Sequence, residues 1–400
     1  MMKKIGTALA AFAVLLAGCG KGGETASLRP DAVYDEKGAA AADGFPGGGQ
    51  GRPGGEAGVL TAGEWNDLDH WGFWSGLMTG QEYGDASDYW RMYTGRRVAV
   101  RLTDGNGHPV PAAKVDLERG GETIWTTRTD KLGEASLWID PFRKSGPTEG
   151  LAVVIDGTRM EGTPKVTPWN VQKDSPEVND YVVTASAGVS PRADLAFIVD
   201  ATGSMGDEID FLKKDLLDIL DRVGKRQGGT QLRTGAIFYR DEEDVYLTRH
   251  FDFTEDHQKT IQFISQQDAE GGGDLPEAVH AALEAGLKDL TWDMTARARA
   301  AFLILDAPAH QDHQGVVESL QASARSYAER GIRLIPVFCS SPSKDCEFMC
   351  RFLAILTGGT YVFLTNDSGV GGDHVEASVG EFQAEHLNNL LVRLIERYVG

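Results

Sequence analysis

Five consecutive apolar residues, Leu195-Ala196-Phe197-Ile198-Val199, run directly into the loop Asp200-Ala201-Thr202-Gly203-Ser204-Met205-Gly206. An uninterrupted apolar run is typical of a strand that is covered on both faces, as in a parallel sheet. After the loop, apolar residues recur at the three- and four-residue spacing of a helix, at Ile209, Leu212, Leu216, Ile219 and Val223. The stretch therefore predicts a buried strand, a short loop and an amphipathic helix.

This alternation of strand and helix continues to the end of the chain. We predict further strands near 232–239, 245–253, 301–305, 332–338 and 359–364, and helices near 255–267, 276–290, 315–330, 346–357 and 381–399. Repeated βα units of this kind favour a doubly wound, mostly parallel sheet of the Rossmann-like α/β class. The sequence predicts such a domain over residues 192–400.

Oxygen-bearing side chains lie in three loops of this predicted domain. Asp200, Thr202 and Ser204 share the first loop. Asp274 lies in a glycine-rich loop, and Asp306 ends a predicted strand. A single acid after a strand is often only a helix cap. In open α/β sheets, however, ligands bind at the carboxyl ends of the strands, and an all-oxygen set suits Mg²⁺ or Ca²⁺. These loops therefore predict a divalent-cation site.

The spacing Asp200-x-Thr202-x-Ser204 is similar to the Asp-x-Ser-x-Ser of the metal-ion-dependent adhesion site in von Willebrand factor type A domains. Asp306 matches the acid that ends the family's fourth core strand, and Asp274 stands where the family's metal-binding threonine is expected. Thr202 keeps the hydroxyl of the serine that it replaces, whereas Asp274 replaces a hydroxyl with a carboxylate. Both variants resemble those of hemicentin-like and alpha-kinase-linked type A domains.

The resemblance implies that these five side chains hold one divalent cation and that a protein ligand binds through it. Mg²⁺ is the first expectation, with Mn²⁺ and Ca²⁺ as alternatives. The implied role is adhesion or complex assembly, without catalysis. Two rival hypotheses stay open. One is a metal-dependent hydrolase or phosphoesterase that uses Asp200, Asp274 and Asp306, with His310 as a further candidate. The other is a structural module whose metal does no more than stiffen the loops.

The sequence gives little support to nucleic-acid binding, nucleotide binding or catalysis by a nucleophilic serine. The formal net charge of −20 argues against nucleic acid as a partner, because a phosphate-binding surface needs clustered lysine and arginine. A Gly-x-x-x-x-Gly-Lys-Ser/Thr phosphate loop and a Gly-x-Ser-x-Gly nucleophile motif are both absent from the sequence. His310 and His313 flank Asp312 and could shuttle protons, but we predict that this segment is an ordinary solvated loop.

The first 18 residues are predicted to be a lipoprotein signal peptide. Lys3 and Lys4 precede an apolar stretch at 8–17 that is too short to cross a bilayer core of ~30 Å. The stretch leads into Leu-Ala-Gly-Cys, which resembles the bacterial lipobox and implies cleavage before Cys19 and lipidation of its thiol. The lipid would anchor the chain to a membrane without spanning it. Gly20 follows the cysteine where aspartate would signal retention, which favours the outer membrane or cell surface over the inner membrane.

Three segments separate the predicted anchor from the predicted α/β domain. Residues 19–58 are rich in glycine and predict a disordered tether. Residues 59–93 hold eight aromatic side chains and are predicted to dock onto the following domain, with a sugar-binding platform as the alternative. Residues 94–187 alternate apolar and polar residues between turn signals, which predicts an N-terminal β-sandwich domain. Their sequence at 107–115 and 129–135 resembles carboxypeptidase-regulatory-like and Ig-like domains of bacterial surface proteins, which implies a spacer.

Three cysteines remain after Cys19, namely Cys339, Cys346 and Cys350. An exported chain permits disulfides, and an odd number allows at most one intramolecular bridge among these three. We predict either one local bridge or buried thiols. A zinc site built on them is disfavoured because no nearby histidine completes a four-ligand set.

Overall fold

The computed structural model describes residues 60–168, 176–184, 190–226, 230–273, 275–339, 343–366 and 376–399. The predicted signal peptide, Cys19 and the predicted tether therefore lie outside the described residues, as does Asp274. Within the described ranges, no helix combines the length and the apolar composition that a membrane crossing requires.

The described chain begins with one strand and two short helices: β1 (Thr61–Trp65), α1 (Trp71–Met78) and α2 (Gln81–Trp90). The buried residues of α2 recur at helical spacing, at Tyr83, Ala86, Ser87 and Trp90. The helix ends at Arg91, which adopts the left-handed conformation with a φ of 50°. Tyr83 and Trp90 thus lie on the inward face of α2, whereas Tyr89 is 55% exposed.

Two four-stranded sheets follow. Their strands are β2 (Arg96–Thr103), β3 (Lys114–Arg119), β4 (Glu122–Arg128), β5 (Glu134–Trp138), β6 (Leu151–Ile155), β7 (Thr158–Arg159), β8 (Thr167–Pro168) and β9 (Val178–Val182). In the first sheet β2 pairs with β5, β8 and β9, and the order in the second is β4-β3-β6-β7. Val98, Leu117 and Trp125 are fully buried in one apolar cluster to which both sheets contribute. The classification of these sheets as an Ig-like sandwich stays a prediction.

The rest of the described chain alternates strands and helices around an eight-stranded mixed sheet. Its further strands are β10 (Ser190–Asp200), β11 (Gln231–Tyr239), β12 (Thr248–Thr254), β13 (Ala296–Leu305), β14 (Ile332–Phe338), β15 (Tyr361–Leu364) and β16 (Glu385–His386). The helices are α3 (Gly206–Arg226), α4 (His257–Ser265), α5 (Val279–Lys288), α6 (Val316–Glu329), α7 (Lys344–Thr357) and α8 (Leu387–Val399). The strand order is β12-β11-β10-β13-β14-β15-β1-β16. Because β11, β10, β13, β14 and β15 run parallel, the predicted mostly parallel α/β sheet is confirmed.

The central strand β10 shows why the apolar run at 195–199 forms the middle of the sheet. Leu195, Phe197 and Val199 belong to one apolar cluster, and Ala196 and Ile198 belong to another. All five side chains are 0% exposed. Successive side chains of a strand face opposite sides of the sheet, so only a continuous apolar run can fill the core on both faces.

The aromatic segment contributes a strand to this sheet, which its sequence does not predict. β1 pairs antiparallel with both β15 and β16. α2 packs against α7, whose residues from Cys346 to Thr357 are all buried. Trp71 of α1 also contacts Trp138 of β5, with ring centroids 5.7 Å apart. The segment therefore packs on the α/β domain as well as on the sheets that follow it.

A buried ion pair joins the same segment to α7. Arg351 is 0% exposed, and its Nε and Nη2 donate to the two carboxylate oxygens of Asp67 at 3.0 and 2.5 Å. Its Nη1 donates to the Tyr83 hydroxyl at 3.0 Å and to Glu347 at 3.2 Å. The guanidinium carbon also lies 5.1 Å from the centroid of the Trp74 ring. A buried guanidinium is tolerated when its planar fork is paired in this way.

Candidate metal centre

The carboxyl ends of β10, β11 and β13 lie side by side, because these strands are neighbours in the sheet and run parallel. β10 ends at Asp200, and Asp306 directly follows β13. β11 is followed by an acidic loop at 241–244. The sheet therefore brings carboxylates from distant parts of the sequence to one edge, where ligands bind in open α/β folds.

The first loop gathers its three oxygen-bearing side chains through its own hydrogen bonds. The backbone N–H and the hydroxyl of Thr202 donate to Oδ1 of Asp200 at 2.9 and 2.7 Å. The hydroxyl oxygens of Thr202 and Ser204 lie 3.5 Å apart. The backbone N–H of Met205 donates to the Thr202 carbonyl at 3.1 Å, within the short 3₁₀ turn that leads into α3. The predicted spacing thus places the three side chains next to one another.

Asp200 and Asp306 each bury a carboxylate oxygen without a close hydrogen-bond partner. Asp200 is 0% exposed and Asp306 is 4% exposed. Among the described residues, none donates a close hydrogen bond to Oδ2 of Asp200 or to Oδ1 of Asp306. The hydroxyls of Tyr239 and Ser204 act only as weaker donors, which lower the pKa values of Asp200 and Asp306, respectively, without cancelling the effect of burial. Burial, together with the charge of Asp306, raises the pKa of Asp200 to about 7, and burial also raises the pKa of Asp306. A buried, unpaired carboxylate is strongly disfavoured, so these oxygens fit the ligands of a divalent cation.

The glycine-rich loop is held against both neighbouring loops. The backbone N–H of Gly203 donates to the Gly271 carbonyl at 3.1 Å, and that of Gly272 donates to Oδ2 of Asp244 at 3.0 Å. Gly271 has a φ of +80°, and a Cβ there would lie 2.1 Å from Oδ1 of Asp244. Glycine is required at this position, because a side chain would displace the Asp244 carboxylate.

Glu277 belongs to the same cluster of acids, and the sequence analysis missed it. It is 2% exposed, and none of the described residues donates to its Oε2. Its backbone N–H donates to the Pro308 carbonyl at 2.9 Å, which fixes it beside the end of β13. Burial and the charges of the surrounding acids, with Asp200 and Asp241 foremost, raise its pKa to about 9. The sequence contains a signal for Glu277, because the glycine-rich loop carries two acids, Asp274 and Glu277, and only Asp274 was predicted to be a ligand.

The loop after β13 differs from its prediction. His310 is only 4% exposed, so the predicted solvated loop is wrong for this residue. The neighbouring Ala309 is buried and forms a bridge with Glu277, which draws this part of the loop inward. Nε2 of His310 lies 2.5 Å from Oδ1 of Asp241 in the acidic loop. His313, in contrast, keeps 45% of its side chain exposed.

Four of the five predicted metal ligands thus lie at one edge of the sheet: Asp200, Thr202, Ser204 and Asp306. The fifth, Asp274, lies outside the described residues. Their role as ligands stays a prediction.

The three C-terminal cysteines all lie in the core, and a disulfide among them stays a prediction. Cys339, Cys346 and Cys350 are all buried. Cys346 and Cys350 are four residues apart on α7, and side chains at that spacing have Cβ atoms about 5–6 Å apart, too far for a bridge. Burial raises the pKa of the Cys346 thiol, which keeps it protonated.

The raised pKa values predict how stability depends on pH without metal. The pKa of Asp200 is raised to about 7 and that of Glu277 to about 9, so both groups stabilise the fold fully below about pH 4 and lose that contribution as the pH rises through these values. In EDTA, we expect the thermal midpoint of the wild type to fall between pH 5 and pH 8 relative to that of Asp200→Asn, whose amide does not ionise. Circular dichroism melts of both proteins measure this difference. A difference that stays constant with pH would contradict the raised pKa of Asp200.

Part of the chain is similar to known proteins. Residues 194–330 match the family model described as von Willebrand factor A domain. The Alpha-protein kinase vwkA of Dictyostelium discoideum is 33% identical over 199 residues, which are 49% of this chain and only 30% of that protein. Among solved structures, the conserved hypothetical protein BatB from Bacteroides thetaiotaomicron is 16% identical, covers 52% of this chain and 98% of its own, and has a TM-score of 0.35. The pilus adhesin SpaC from Lactobacillus rhamnosus GG is 11% identical, covers 52% of this chain and 30% of its own, and has a TM-score of 0.37. Residues 194–330 of the chain are therefore similar to a von Willebrand factor A domain.

Proposed function

We propose that the chain binds a partner protein through a divalent cation held by Asp200, Thr202, Ser204 and Asp306, with Asp274 as a fifth ligand. A von Willebrand factor A domain supports a role in adhesion or protein interaction. The observation that carries the metal is the pair of buried carboxylate oxygens, on Asp200 and Asp306, that lack a close hydrogen-bond partner among the described residues. Carboxylate and hydroxyl ligands suit a hard cation, so Mg²⁺ is the first candidate, with Mn²⁺ and Ca²⁺ as alternatives. When bound, such an ion would offer an open coordination position to an oxygen atom of the partner.

Exposed apolar side chains beside the metal loops support a protein as the partner. Val245 follows Asp244 and is 89% exposed, and Leu275 is 59% exposed at the end of the glycine-rich loop. The hydrogen bond between Gly272 and Asp244 holds these two loops together. We propose that Val245 and Leu275 belong to the surface that the partner covers.

We also propose that the chain is a lipoprotein of the cell envelope, placed at the outer membrane or cell surface by a lipid on Cys19. This proposal rests on the lipobox-like sequence before Cys19 and on the glycine-rich residues 19–58, which would act as a tether. The two four-stranded sheets would then serve as a spacer between the tether and the binding domain.

One relative is named a kinase, but the match covers only 30% of that protein. Kinase activity is therefore not inferred for this chain. We propose that the von Willebrand factor A domain of this chain acts by binding and not by catalysis.

Cross-linking in the cells that produce the protein tests the proposed function. We expect a partner that is recovered with the wild type in Mg²⁺ and lost both in EDTA and with Asp200→Asn. Once the partner is known, Val245→Lys should weaken its binding about tenfold, a loss of ~1.4 kcal/mol, without changing stabilisation by Mg²⁺, because a lysine ammonium buried at the interface without a counter-charge is disfavoured. Val182→Lys is the matched control, because Val182 is 68% exposed on β9 and away from the metal loops. Partner binding that survives EDTA would mean that the metal has only a structural role.

A further inference from the structure

The loop between β13 and α6 gathers three side chains that are separate from the predicted oxygen ligands. His310, Asp312 and His313 each offer one ligand atom, and these atoms lie within 4.8 Å of one another. The rings of His310 and His313 stack with centroids 4.3 Å apart and an interplanar angle of 2°. In a tetrahedral zinc site, bonds of 2.0–2.1 Å place two nitrogen ligands about 3.3 Å apart. To share one ion, the ligand atoms must therefore come closer, and one imidazole must rotate out of the stack, because two parallel ring planes cannot both contain the ion.

Carboxylates already orient the imidazole rings of this loop. Nε2 of His310 lies 2.5 Å from Oδ1 of Asp241, so this nitrogen carries the proton and Nδ1 keeps its lone pair. Nδ1 of His313 lies 3.4 Å from Oε2 of Glu242, a longer contact that places a second carboxylate beside this ring. A carboxylate behind the distal nitrogen is the usual arrangement of metal-binding histidine, since it fixes the ring and strengthens the ligand.

A third histidine and a cavity lie beside these residues. Nε2 of His280 lies 3.6 Å from Oε1 of Glu242, and its buried Nδ1 has no partner among the described residues. A solvent-open cavity of about 530 Å³ is lined by Glu242, His280, Asp312 and His313. Asp312 and His313 can therefore be reached by an ion from solution, whereas His310 lies buried behind them.

We propose that His310, Asp312 and His313 form a second metal site, which takes a transition-metal ion of the Zn²⁺ class. The ligand chemistry separates it from the site at Asp200 and Asp306. Imidazole nitrogens suit Zn²⁺ and similar ions, whereas oxygen-only sites suit Mg²⁺, Ca²⁺ and Mn²⁺. The two sites lie close together in the sequence, since His310 of the second site follows Asp306 of the first by four residues. The second site does not depend on the proposed function, because its ligands are different side chains.

Competition for Zn²⁺ with a chromophoric chelator tests the proposal on the purified full-length protein in saturating Mg²⁺. We expect one Zn²⁺ per chain for the wild type and for Asp200→Asn. His313→Gln should weaken Zn²⁺ affinity at least about 100-fold, because even the partners behind metal ligands contribute 10–100-fold. His313 is chosen over the buried His310 because its exposed side chain can change without disturbing the fold, which a melt without Zn²⁺ verifies. His250→Gln is the control, since His250 is a half-exposed histidine paired with Asp289 on another part of the domain.

Two results would overturn the second site. If His313→Gln binds Zn²⁺ as the wild type does, the histidines and carboxylates are ordinary ion pairs that hold the loop. If Asp200→Asn abolishes Zn²⁺ binding and His313→Gln keeps it, Zn²⁺ occupies the oxygen ligands, and the chain has one metal site.

Discussion

Asp67→Ala is expected to destabilise the protein by about 3–5 kcal/mol, because it leaves the guanidinium of Arg351 buried without its bidentate partner. Arg351 and Asp67 have side chains that are 0% and 1% exposed, so water cannot replace the lost carboxylate. Only the bonds of Nη1 would remain, to the Tyr83 hydroxyl, the Ser378 carbonyl and Glu347, and Glu347 would be the one carboxylate among these partners. Since a domain is typically stable by about 5–15 kcal/mol, a loss of this size is a large share of the total.

Urea unfolding followed by circular dichroism measures this loss, with Asp69→Ala as the matched control. Asp69 lies two residues away and pairs with Arg397 at 2.9 Å, but the two side chains are 58% and 41% exposed. An exposed pair contributes only about 0–1 kcal/mol, so the control should unfold close to the wild type. Asp67→Asn keeps one acceptor and should fall between the two. Equal stabilities of Asp67→Ala and Asp69→Ala would contradict the structural role of the buried pair.

The buried pair also shows where the domain that carries the candidate metal site begins. The sequence predicts an α/β domain at 192–400, but the sheet includes β1, and the core of α7 includes α2 and Asp67. A chain truncated to the predicted domain would expose an edge of β15 and bury Arg351 without Asp67. Experiments on the metal site therefore need a chain that begins before Leu60.

The repeating part of the fold could be predicted because its signals are local. The run at 195–199 and the helical spacing after it fix β10 and α3 without reference to the rest of the chain. β1 could not be predicted in this way, since its partner β15 is about 300 residues away and its sequence has no clear alternation. The need for glycine at position 63 is visible only in the folded chain, where a Cβ would lie 2.6 Å from the ring of Phe363.

The same difference between local and long-range signals decides which residues of the candidate metal site could be predicted. Asp200, Thr202 and Ser204 share one loop, so their spacing is visible in the sequence. Glu277 and the pair of Asp241 with His310 come together only through the order of the strands, and no spacing in the sequence relates them. His310 was expected in solvent because a polar loop usually lies there, whereas its bond to Asp241 allows it to be buried.

A bound divalent cation is expected to raise the free energy of unfolding by ~2.7 kcal/mol at a concentration 100 times its Kd. The gain should require Asp200, whose buried Oδ2 has no other close partner among the described residues. Without metal, the same carboxylate lowers the stability of the folded protein at pH 8. Its pKa is raised to about 7 by burial and by Asp306, so at pH 8 the folded protein holds an ionised group that the site disfavours. Asp200→Asn removes that charge and keeps an oxygen that can accept the bonds from Thr202.

Thermal unfolding of the wild type and Asp200→Asn at pH 8, each in EDTA and in saturating Mg²⁺, tests the metal site most directly. We predict that the order of the two proteins reverses. Asp200→Asn should be at least as stable as the wild type in EDTA, and the wild type should be the more stable in Mg²⁺. The metal site would be contradicted if Mg²⁺, Mn²⁺ and Ca²⁺ all leave the wild-type midpoint unchanged, or if Asp200→Asn gains as much from metal as the wild type does.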